Sequence, residues 1–157
     1  MNVLSWLVWG FAATVVLTSC FAAAQALGLT RMNVPYLLGT MLTADRDRAR
    51  LLGILGHLVN GWVFALIYVA AFHTSGRFSA GFGALIGLVH ATFLLAVALP
   101  ALPGLHPRMA GPEHGPSPAR QLEPPGFLAL HYGAATPVSV VLGHLVLGAI
   151  LGGFYAP

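Results

Sequence analysis

The chain has 157 residues, 57% hydrophobic and only 7% charged, with a mean hydropathy of +0.82, where a soluble domain carries roughly 25% charged side chains. Its seven arginines and four acids leave residues 1–30, 51–76, 78–107 and 124–157 without a formal charge, and each stretch exceeds the roughly 20 residues that cross a hydrocarbon core of about 30 Å. An ordinary soluble enzyme, a nucleic-acid-binding module and a disordered tail are excluded, and the composition predicts a polytopic membrane protein whose first partner is the lipid bilayer.

The first predicted helix covers about 3–28. It lacks the basic n-region of a secretory signal, and both Leu17-Thr18-Ser19-Cys20 and Ala22-Ala23-Ala24-Gln25-Ala26 are weak cleavage signals, so an uncleaved span is expected. The single cysteine, Cys20, excludes an intrachain disulfide. A loop carrying Arg31, Arg46, Arg48 and Arg50 follows, with Tyr36 to Leu42 predicted to lie along the interface. The second helix is predicted at 48–73. A short turn at 74–77 makes it an antiparallel neighbour of the third, at 79–100. The long connection 101–136 comes next; eight of the eleven prolines fall between Pro100 and Pro125, which predicts an extended linker. Its apolar end, Gly126 to Tyr132, corresponds to 36–42. Thr136-Pro137 predicts the start of the fourth helix, at 137–155, with threonine as N-cap.

Six arginines in the two long loops against Arg77 alone in the 2–3 turn place both loops in the cytoplasm and both termini outside. The lysine-free, Ala/Gly/Leu/Arg-rich composition points to a high-GC bacterial genome and hence to the bacterial inner membrane.

The chain also repeats itself. Leu55-Gly56-His57-Leu58-Val59-Asn60-Gly61 with Tyr68 matches Leu142-Gly143-His144-Leu145-Val146-Leu147-Gly148 with Tyr155, and Ala26 to Met32 matches Ala101 to Met109 with two prolines added. The fold class predicted is therefore all-α: a single transmembrane domain over 1–157, four helices built from two parallel-repeat hairpins, repeat one at 1–73 and repeat two at 78–157, related by an axis along the membrane normal.

No phosphate loop, zincin histidine pair, Cys-x-x-Cys or serine elbow is present. The acids Asp45, Asp47, Glu113 and Glu123 all fall in loops, which removes carboxylate proton relays and hard-ion sites. Histidine remains. His57, His90 and His144 each fall within a predicted span, where an ionisable residue is a functional candidate. Two ligand types are open: haem b on His57 and His144, with propionates toward Arg46, Arg48, Arg50 or Arg108, or a zinc, copper or iron ion on His57, His90 and His144. His106, Arg108 and His131 in the second loop are candidates for an added ligand or lid, or for fixing the loop's path. His73 and His114 read as ordinary interfacial or solvated residues.

The expected function is thus a small integral membrane protein binding a transition metal or haem through intramembrane histidines, with redox activity open. Two alternatives stand beside it. One is a non-catalytic accessory or assembly subunit of a larger membrane complex or homo-oligomer, with the histidines hydrogen-bonded as packing glue. The other is a small transporter or channel.

Overall fold

The computed structural model describes residues 1–111 and 114–157; Glu113 and that part of the proline-rich segment lie outside them. The fold is all-helical, with no strand among the described residues, in the order α1 (Val3–Ala26), α2 (Val34–Leu42), α3 (Arg46–Ser75), α4 (Ala80–Phe93), a π-helical turn (Leu94–Ala98), α5 (Leu99–Leu105), a 3₁₀ segment (Phe127–Tyr132) and α6 (Thr136–Phe154). Among the described residues four helical stretches are long and apolar enough to cross a membrane: α1, α3, Ala80–Leu105 and α6.

Local chemistry sets the boundaries. Asn2, Asn33, Asp45 and Ser79 accept from backbone N–H groups of the first turns of α1, α2, α3 and α4, satisfying donors that a helix start leaves free. Gly76, at φ 67°, closes α3 in the left-handed conformation that costs glycine no Cβ clash. The third span runs past its expected end at Pro100. The reason is the π turn: the Leu99 N–H donates to Leu94 O, which resets the ladder just ahead of Pro100 and Pro103, residues without an N–H of their own. Thr136 is the first residue of α6 and not its cap, which is Ala135. Its hydroxyl is committed to Thr30 Oγ1 at 2.7 Å instead.

Glycine decides the packing. A Cβ on Gly83 or Gly87 of α4 would run into the backbone carbonyls of Gly148 and His144 of α6, and one on Gly148 or Gly152 into those of Gly83 and Ser79. The α4–α6 interface is therefore backbone on backbone, the small-xxx-small arrangement. On the other side Gly61 of α3 packs against Thr14 of α1, and α2 lies against α3 where Gly39 meets Ala49 and Gly53 meets Pro35. Despite the short turn between them, α3 and α4 are not close neighbours along their length. They meet through side chains, Phe72 with Phe78 and Phe82 near the turn and Tyr68 and Phe64 with His90 farther along, while α4 packs chiefly on α6 and α3 on α1 and α2.

Contacts define two ends. At one, Tyr155 Oη accepts from Asn2 N and pairs with His73 Nε2, and Ala156 N donates to Ser5 Oγ, so both termini and the α3–α4 turn lie together. At the other, Arg31 N donates to Tyr132 O, Arg31 pairs with Glu123 at 2.9 Å, and Tyr132 Oη donates to Glu123 O. Burial pushes the Tyr132 phenol up to about 12, with Glu123 adding to the shift. The outer surface carries apolar side chains such as Leu4, Leu51, Leu55, Val59, Val63, Leu85, Val89 and Val138, all more than half exposed.

Candidate functional site

His57, His90 and His144 come from three helices and line one cavity of about 190 Å³ inside the bundle. The walls are mostly leucine, phenylalanine and methionine, with Asn60 and Thr14 as further polar groups and, among the described residues, no charged side chain. His57 and His144 are 6% and 3% exposed.

Each ring is held in the same manner. His57 Nδ1 pairs with Thr18 Oγ1 of α1 at 3.1 Å. His90 Nδ1 pairs with Tyr68 Oη of α3 at 3.1 Å, and its ring stacks on Phe64 with centroids 4.2 Å apart. His144 Nδ1–H donates to Val140 O, one turn back on α6, at 2.8 Å. The Nε2 atoms are left over. That of His90 is buried without a partner, and those of His57 and His144 make no hydrogen bond among the described residues. For His144 the carbonyl acceptor fixes the neutral tautomer, leaving a lone pair on Nε2.

The rings are not equally spaced. His90 and His144 touch edge to face, with centroids 4.7 Å apart, and Phe21 lies 6.0 Å from His144 on another side. Among the described residues no three His, Cys, Asp or Glu side chains are gathered as an ion site.

The second-loop residues are used otherwise. His106, 3% exposed, donates from Nε2 to Leu37 O at 3.0 Å and accepts Arg108 N at Nδ1, so neither ring nitrogen is free. Burial holds its imidazole below the ordinary range, against the raising effect of the Leu37 carbonyl and with a further lowering from Arg108. Arg108 itself donates to Thr40 O at 2.6 Å. His131 is exposed and pairs with Pro124 O. These three fasten the loop to α2 and to itself, outside the cavity. Arg46, Arg48 and Arg50 are at the start of α3, Arg50 beside Asp47.

Thr18 and Tyr68 are the site residues that sequence reasoning missed as partners. Tyr68 stood out only as a repeat marker, eleven residues after His57. Tyr155, at the matching offset from His144 in the sequence, pairs with His73, so both tyrosines bind a histidine of another helix.

No family model matches the chain, and no curated protein or solved structure is significantly similar to it.

Proposed function

We propose that the chain is an integral membrane protein that holds a transition-metal ion in its bundle through imidazole Nε2 atoms, His90 and His144 as the primary pair and His57 facing the same cavity. The observation that carries this reading is the shared bonding of three rings that line one cavity: Nδ1 engaged by the protein, Nε2 without a hydrogen-bond partner among the described residues. A ligating histidine typically has its second nitrogen fixed by a carbonyl or similar group, which orients the ring and raises its basicity. His106, by contrast, is buried with both ring nitrogens hydrogen-bonded.

Two neutral imidazoles without a carboxylate suit zinc, copper or iron, and copper is the tightest binder of the first-row divalent series at such a site. Bis-histidine haem has less support. The His144 ring already has His90 and Phe21 against it, and Arg108 is committed to Thr40.

Insertion in the bilayer is supported by the four apolar spans and by the exposed leucines and valines, which water would not tolerate in such number. Six arginines at the end opposite the termini support cytoplasmic loops and external termini. A duplicated hairpin is supported by matched glycines: Gly61, four residues after His57, meets α1, and Gly148, four residues after His144, meets α4.

The test is metal analysis of protein purified in mild detergent with cuprous, cupric, zinc and ferrous ions supplied in turn. Stoichiometric metal that is lost in His144→Ala supports the proposal. Wild-type protein that retains no metal above the level of the variant overturns it and returns the reading to an accessory subunit.

A further inference from the structure

The cavity reaches the exposed face of α3 at Asn60. Past the stacking of Phe64 on His90, the cavity wall is made by Asn60 and Gly61 from α3 and by Leu94 and Ala98 from the π turn, which do not pack closely on each other. Asn60 is the fifteenth of the thirty residues of α3, the middle of a helix long enough to span. It is exposed, and its carboxamide has no hydrogen-bond partner among the described residues while it borders the cavity. In hydrocarbon no water satisfies such a group, and an amide carries two donors and an acceptor oxygen. Across the gap stands the π turn, a distortion common at functional sites.

We propose that this cleft is a lateral port for a bilayer-dissolved, quinone-type molecule, whose carbonyl oxygen accepts from the Asn60 carboxamide and whose apolar body lies between Phe64 and Leu94. The class follows from the lining. Among the described residues no charged side chain lines the cavity, so a fatty-acid or phosphate headgroup would enter unneutralised there, whereas a neutral carbonyl needs only a donor. Apolar walls with a few convergent polar groups are the usual make-up of a small-molecule pocket. A second copy of the chain is the competing partner for Asn60, but it would leave the cavity behind the carboxamide unfilled. Binding is non-covalent, and the inference rests on the membrane-spanning reading and not on the metal.

The experiment uses the full chain in phosphatidylcholine nanodiscs, with decylbenzoquinone as probe and equilibrium binding as readout. The expected result is saturable one-to-one binding that weakens at least tenfold in Asn60→Leu, with metal content and monomeric mass unchanged. Replacing a lipid-exposed amide by leucine leaves the fold intact, which circular dichroism checks. Equal affinity in both proteins, or partitioning that never saturates, overturns the port. So does a wild-type dimer that Asn60→Leu converts to a monomer, since the amide would then serve a second copy. Release of the wild-type protein from membranes by alkaline carbonate would overturn the spanning reading instead, and the port with it.

Discussion

His90 and His144, on two helices that touch backbone to backbone, meet edge to face with ring centroids 4.7 Å apart and planes at 76°. The contact follows from glycine. Because Gly87 packs directly on the His144 carbonyl, α4 comes close enough to α6 for the side chain one turn away at position 90 to reach the ring at 144. His90→Ala and His144→Ala should each lower metal affinity at least tenfold, in line with the effect of losing ligand-shell groups, while the helical spectrum is unchanged. His73→Ala removes one hydrogen bond to Tyr155, worth about 1 kcal/mol, and should leave metal content at the wild-type level. Metal titration of the three variants side by side checks both statements.

The same interface makes a stability prediction. A side chain at position 148 has nowhere to go, because its first carbon already meets the Gly83 carbonyl. Gly148→Leu should destabilise by about 3 kcal/mol or more, at the upper end of overpacking costs, whereas Gly56→Ala, with open space around it, should be neutral or slightly stabilising. Thermal unfolding in one detergent at fixed concentration compares them.

Much of this was legible in the sequence because apolar run length and glycine spacing report directly on spans and close helix contacts. The match of His57 with His144 also pointed to the cavity. What the sequence hid were relations set by three-dimensional placement. Thr18 lies 39 residues from His57 and Tyr68 lies 22 from His90, and nothing in a period of 3.6 couples them. Pro100 signalled a helix end, yet the π turn before it lets the helix resume. A short turn implied that α3 and α4 are packed together, but the glycines of α4 bring its backbone against α6 instead, and α3 reaches α4 only through side chains such as Tyr68 and Phe64.

Orientation is testable by labelling. In a Cys20→Ala background, cysteines placed at position 77 and at position 120 should react with a membrane-impermeant maleimide from opposite faces, position 77 from outside. The prediction follows from the arginine count at the two ends, and labelling of both positions from one face would contradict it.

The loop lock gives a pH dependence. His106 has a folded pKa below its ordinary 6.5, chiefly through burial, so the unfolded chain takes up its proton first as pH falls. The stabilisation is complete above about 6.5 and is lost as pH falls from there toward the lowered folded value. Loosening of His106 and Arg108 from α2 should therefore appear at mildly acid pH, read by protease cleavage at Arg108. In His106→Gln, whose amide can still donate to Leu37 O, that acid-dependent component should be absent.

X-ray absorption at the metal edge tests the central claim most directly. Protein loaded with one equivalent of copper or zinc should show imidazole scattering from at least two histidines at about 2.0 Å, reduced by one imidazole in His90→Ala and again in the double variant with His144→Ala. A shell of oxygen ligands alone, or a spectrum that neither substitution changes, would contradict ligation by these Nε2 atoms and leave the three histidines as structural residues of the bundle.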